Sequence, residues 1–112
     1  MYTLRRVNIE ESKELFARIR DFVSFLKMEL PVRDVYLYGS FAKNEIHEGS
    51  DIDLLIIGDF KERFVDRIGK ILDLTDLPIE PLVYTPQEFE ELRQSENPFI
   101  IEVLKTAILL DD

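Results

Sequence analysis

Apolar residues recur three and four apart along the first quarter of the chain, at Phe16, Ile19, Val23, Leu26 and Leu30, with Leu15 and Phe22 widening the stripe. That period predicts an amphipathic helix with a broad apolar face. Asn8, followed three residues later by Glu11, resembles a capping box at its start, and Pro31 stops it at or before Leu30. The pattern then shortens. Residues 34–38 predict a strand halted by Gly39, residues 40–44 suit one helical turn, and the polar run 45–50 suits a loop. A second strand is expected from Asp51 to Ile57, turning at Gly58-Asp59. From Lys61 to about Thr75 an amphipathic helix follows, with Phe64, Val65, Ile68, Ile71 and Leu72 on one side. Ile79 to Tyr84 reads as a third strand, and Pro81 within it predicts an edge position or an early bulge. Thr85-Pro86-Gln87-Glu88 joins a capping box to a proline at the first helical position. Asn97-Pro98 repeats the cap-then-proline logic for a last helix ending near Thr106, with 107–110 extended.

These elements predict one α/β (α+β) domain over residues 1–112, a small mixed sheet of three or more strands with helices packed on one face. Its 112 residues, 46% of them apolar, allow one core and little more. There are no cysteines, which excludes disulfides and thiolate metal sites and suits a reducing compartment. No apolar run approaches a membrane span of about 20 residues, so a cytoplasmic protein is expected. The net charge of −9 is unevenly spread: residues 1–44 hold eight Lys/Arg against six Asp/Glu, residues 45–79 four against nine, and residues 80–112 two against eight. Such a surface repels a phosphate backbone and argues against direct nucleic-acid binding. The acidic last third could attract a basic partner, although most of its charges can equally be a solubilising surface.

Candidate chemistry concentrates in the first two strands. Side chains alternate along a strand, so Asp51 and Asp53 point the same way while Ile52, Leu54 and Ile56 point into a core. Aspartate is a poor strand former, and two carboxylates on one face raise each other's pKa unless a cation lies between them. A hard divalent ion with oxygen ligands, Mg²⁺ when phosphates complete its shell, answers both problems. Gly39-Ser40 follows the preceding strand: glycine lets backbone approach a phosphate, and the Ser hydroxyl and nearby amides can donate to it. Alone, each half has an ordinary explanation, a plain turn or two solvent-facing aspartates. Together they point to a nucleoside triphosphate held through its phosphates and a metal.

Gly39-Ser40-Phe41-Ala42-Lys43, followed by Gly49-Ser50-Asp51-Ile52-Asp53-Leu54, resembles the signature of the nucleotidyltransferase superfamily related to DNA polymerase beta, and the short length resembles its minimal branch, MNT. The likeness extends over essentially the whole chain. It implies that Gly39 and Ser40 grip the triphosphate, with Lys43 and Ser50 as further nucleotide contacts, and that Asp51 and Asp53 hold two Mg²⁺ ions. It implies a third acid from a later strand, for which Glu80, the one acid in the third strand, is the candidate; its ordinary alternative is a surface glutamate on an edge strand. The reaction implied is transfer of AMP from ATP to a hydroxyl, with one ion activating the acceptor and the other steadying pyrophosphate. Family members often carry Ala-Arg-Gly where this chain has Ala42-Lys43-Asn44. Lys43 keeps the charge without the two-pronged contact of arginine, and asparagine tolerates a left-handed turn.

The resemblance also implies a partner. Minimal members commonly pair with a small helical HEPN ribonuclease toxin, and the transferase acts as antitoxin by AMP-modifying a toxin tyrosine. A non-catalytic module that neutralises such a partner by contact alone is the alternative. A drug-modifying enzyme is a weaker reading, because those enzymes carry substrate-binding residues missing here. The stripe on the first helix allows a homo-oligomer without requiring one. His47, the single histidine, reads as a loop residue, and Tyr2, Tyr36, Tyr38 and Tyr84 are given no catalytic role.

Overall fold

A computed structural model describes residues 9–43 and 51–110. Helix α1 (Ile9–Glu29) leads through Pro31 into strand β1 (Val32–Tyr38). The remaining elements are β2 (Ile52–Gly58), α2 (Phe64–Leu72), β3 (Ile79–Tyr84), α3 (Pro86–Gln94), α4 (Pro98–Thr106) and the two-residue β4 (Ile108–Leu109). The sheet order is β3-β2-β1-β4. β1 runs antiparallel to β2 and β4, and β2 runs parallel to β3, with α2 as the crossover that a parallel pair requires.

The predicted apolar stripe of α1 is buried at its centre, with Leu15, Phe16 and Leu30 partly buried at its ends. Ile19, Phe22, Val23 and Leu26 pack with Ile71 of α2 onto Val35, Leu37, Ile52, Leu54, Ile56 and Val83. Side chains this fully removed from water each contribute about 1.5–3 kcal/mol. The opposite sheet face is covered too: Leu55 and Ile57 lie beneath Val103 of α4 and Phe89 of α3. Helices therefore sit on both faces, not on one as the sequence reading has it. The reason lies in β2, which is apolar at every position from Leu54 to Ile57 and so needs two covers.

Three local expectations match closely. Pro81 lies on β3, an edge strand, opposite Leu54. Thr85 and Glu88 form the reciprocal capping box with Pro86 at the helix start. Asn97 accepts hydrogen bonds from the amides of Phe99 and Ile100 at 3.0 and 3.2 Å. Helix α2 differs. It spans nine residues rather than the longer run from Lys61, and its first turn has no side-chain cap. Val65, placed on the apolar side by its period, is 76% exposed, whereas Arg67 is buried. The Arg67 guanidinium donates to the Glu62 carbonyl at 2.7 Å, to the Val83 carbonyl at 3.2 Å and to the Glu88 carboxylate at 2.7 Å. Those three acceptors make its burial tolerable.

Candidate active site

The register of the sheet builds one cross-strand row. Tyr38 stands opposite Asp53, and Asp53 stands beside Glu80. One step along the same face lie Tyr36, Leu55 and Leu82, which belong to the second core. The row thus occupies the end of a packed face, where β1 finishes and β2 and β3 begin. The Ile52 amide donates to the Pro78 carbonyl at 2.8 Å and fixes the start of β2 against the approach to β3.

Asp51 is exposed just ahead of β2, Asp53 is half-buried, and Glu80 is exposed on the sheet edge. Their carboxyl groups are neighbours: Glu80 lies within hydrogen-bonding reach of both Asp51 and Asp53. The pKa of Asp53 is raised by loss of hydration first and by the charge of Asp51, while a hydrogen bond from Glu80 acts the other way. Glu80 is raised chiefly by the negative charge of Asp51, then by the hydrogen bond to it and the charge of Asp53. The phenol of Tyr38 is pushed up to about 12 by burial and by the charges of Asp53, Glu80 and Tyr84, so it stays a hydrogen-bond donor.

Gly39 follows with φ of +73°, and the Cβ of any other residue would run into the carboxylate oxygen Oδ2 of Asp53 and lie 3.2 Å from its Cγ. This position needs glycine both for its left-handed backbone and for the close approach to the acid. The Lys43 amide donates to the Gly39 carbonyl at 3.2 Å, closing the single helical turn expected over these residues. Ser40 sits half-buried within that turn, and Lys43 is exposed at its end. Phe41 anchors it: the ring is buried and meets Phe16 of α1 edge-on, centroids 6.1 Å apart. Asn8, Asn44, His47 and Ser50 lie outside the described residues.

The structure thus brings Gly39, Asp51, Asp53 and Glu80 to one place, with Ser40 and Lys43 on the adjoining turn. Sequence reasoning missed Tyr38, whose position next to Gly39 on the strand was the available signal. The donor set suits a hard divalent cation: three carboxyl groups with no basic side chain in an ion pair with them among the described residues. No three His, Cys, Asp or Glu side chains among the described residues already stand at metal-holding spacing, so ligation would require the carboxylates to turn toward a common ion.

Known proteins resemble this chain in sequence and in fold. The chain is 33% identical over 76 residues to "Putative protein adenylyltransferase MJ0604" of Methanocaldococcus jannaschii, covering 65% of this chain and 76% of that one. It is 38% identical over 45 residues to "Putative protein adenylyltransferase MJ1547" of the same organism, covering 40% of this chain and 37% of that one. The fold aligns with a crystal structure titled as a putative nucleotidyltransferase from Sulfolobus solfataricus, with TM-score 0.66, 20% identity, and coverage of 90% of this chain and 83% of that one. No helix among the described residues is long and apolar enough to cross a membrane. The nucleotidyltransferase domain family matches residues 9–110, from the first residue of α1 to the end of the sheet, and this chain is a nucleotidyltransferase of that family.

Proposed function

We propose that this nucleotidyltransferase moves AMP from ATP to a hydroxyl of a protein acceptor, with Asp51, Asp53 and Glu80 as its acidic centre. The observation that carries the reading is the meeting of these carboxylates beside the left-handed Gly39 turn. Asp51, Asp53 and Glu80 would hold magnesium, which when bound supplies positive charge to lower the acceptor hydroxyl's pKa and to balance the departing pyrophosphate. The turn from Gly39 to Lys43 receives the β- and γ-phosphates through amides not used within the turn, the Ser40 hydroxyl and the Lys43 ammonium. Glu80, exposed at the sheet edge, takes the proton as the acceptor oxygen bonds to the α-phosphorus and the bond from that phosphorus to the bridging oxygen breaks.

A protein acceptor is favoured by the two methanogen relatives, both named as protein adenylyltransferases, and by the openness of the acidic centre, where Glu80 stands exposed. The resemblance to minimal nucleotidyltransferases supplies a specific partner, a HEPN-type toxin modified on a tyrosine, with this chain as its antitoxin in the cytoplasm. The test is to incubate the chain with the product of its adjacent reading frame, Mg²⁺ and ATP labelled at the α-phosphate. Label on the partner that disappears with Asp53→Asn is the expected result. Neutralisation by a tight complex without label, unchanged by Asp53→Asn, would reduce the chain to a binding module.

A further inference from the structure

A pocket of about 430 Å³ opens at the far end of β3 from the acidic centre. Its floor is aromatic. Phe64, the first residue of α2, and Tyr84, the last of β3, lie with ring centroids 5.4 Å apart and planes tilted by 38°. Both residues are only half-buried. The opposite wall is Glu88, Glu91, Leu92 and Ser95, which share one face of α3 and its C-cap at helical spacing. The two acids of that wall differ. Glu88 already answers the buried Arg67 guanidinium at 2.7 Å. Glu91 meets the neutral amide of Gln87 at 3.3 Å and is in no ion pair among the described residues, whereas its neighbour Glu90 pairs with Arg93 at 3.1 Å. The Tyr84 phenol is held above its ordinary pKa by burial and then by the charge of Glu88, so it stays neutral.

We infer that this pocket binds a basic side chain of a protein partner, its stem and charged head laid over Phe64 and Tyr84 and its charge answered by Glu91. That the partner is the acceptor of AMP rests on the proposed transfer to protein; the pocket itself does not. Three observations carry the inference. Aromatic faces carry partial negative charge and attract a cation, so floor and wall ask for the same sign of ligand. The surroundings agree: residues 80–112 hold eight Asp/Glu against two Lys/Arg, a field that repels phosphates and draws in a basic segment. Finally, Leu92 lines the pocket beside the rings, and apolar surface of that kind is what the methylene stem of a lysine or arginine covers while its head reaches an acid.

The sheet connects the pocket to the acidic centre. Glu80 and Tyr84 lie on the same face of β3, with Leu82 between them. Four residue rises separate them by about 13 Å. A segment anchored by one basic side chain at Phe64 and Tyr84 therefore reaches Glu80 within a few extended residues. Arginine suits the site better than lysine, because its flat guanidinium stacks on a ring while its edge meets a carboxylate.

The test is an NMR titration of the isotope-labelled full chain with a capped peptide holding one arginine between leucines, and with the same peptide carrying citrulline, its neutral isostere. The amide signals of Phe64, Tyr84, Glu91 and Ser95 should move, and those of Gly39 and Asp53 should not. Citrulline, Phe64→Leu and Glu91→Gln should each weaken binding about threefold. Glu90→Gln removes an equal charge from the same helix and should stay within about twofold of the native chain. Glu91 is exposed and leucine keeps an apolar side chain at position 64, so neither change threatens folding. Equal loss in Glu90→Gln and Glu91→Gln would reduce the binding to overall negative charge and overturn the inference, as would shifts centred on Gly39 and Asp53. With the protein acceptor and labelled ATP, Glu91→Gln should raise the acceptor's KM about threefold and leave kcat unchanged. A chain that binds the peptide at the pocket yet labels no protein would sink the transfer reading and keep the pocket.

Discussion

Glu80 and Glu88 lie at opposite ends of β3, one near its start and one just past its end. Glu88 is held by partners from α2 and from its own helix cap. It accepts from the Arg67 guanidinium at 2.7 and 3.4 Å and from the Thr85 amide at 2.8 Å. Those donors hold its pKa below the ordinary glutamate value, led by the hydrogen bond from Arg67. The charges that act on Glu80 among the described residues are those of Asp51 and Asp53, and its pKa is raised. One carboxylate joins α2, β3 and α3 into a single body. The other, with Asp51 and Asp53, is in no ion pair with a basic side chain among the described residues. A carboxylate satisfied from within the chain is what a structural role requires, whereas carboxylates left to raise one another's pKa mark a candidate functional site.

The sharpest way to break this contrast is Asp53→Asn. Label transfer to the acceptor should fall by about 10³-fold or more, as when one member of a cooperating set is removed, with the fold intact by circular dichroism. Retained transfer would remove Asp53 from the centre. On the structural side, Arg67→Ala should cost about 2–4 kcal/mol in urea unfolding. The lower part of that range is expected because the Glu88 side chain is 42% exposed and its pairing is partly screened. Gly39→Ala tests the point where backbone meets acid. It should destabilise by about 1–2 kcal/mol and depress transfer more than this loss explains, because the added methyl displaces the Asp53 carboxylate.

The pH dependence should separate the two ends of β3. A glutamate with lowered pKa stabilises the fold above its unfolded-state value, and that contribution is lost as pH falls through its lower folded value. The stability gap between the native chain and Glu88→Gln should therefore narrow below about pH 4. Asp53 and Glu80 behave in the opposite sense, since their raised values make ionisation cost stability as pH rises. In metal-free buffer at pH 7, Asp53→Asn should accordingly raise Tm, although the same change removes transfer when Mg²⁺ and ATP are supplied. A fall in Tm would show that Asp53 is satisfied in the free protein.

The sequence made the elements legible wherever the deciding forces were local. The proline-first caps of α3 and α4, the stop at Pro31 and the strand around Pro81 all rest on neighbours within a few residues. So did the shared orientation of Asp51 and Asp53, and the placement of Glu80 with Leu82 and Tyr84 on one face. What stayed hidden depended on distant partners. Arg67 is buried because Glu88, 21 residues away, receives it, and the period of α2 placed Val65 inward with no knowledge of that contact. The second helical layer was missed although the unbroken run Leu54-Leu55-Ile56-Ile57 signals burial on both sides. Tyr38 went unassigned because its neighbours in the site come from β2, β3 and α4.

The acidic row also fixes which mutations the chemistry can survive. The lateral distances between Tyr38, Asp53 and Glu80 are set by backbone ladders about 4.8 Å apart, not by how snugly their side chains are wedged. Repacking the layer beneath α1 can therefore drift without disturbing those distances. An insertion or deletion that slid β2 by a single residue would turn Asp53 toward the oily interior and present Ile52 or Leu54 to the substrate.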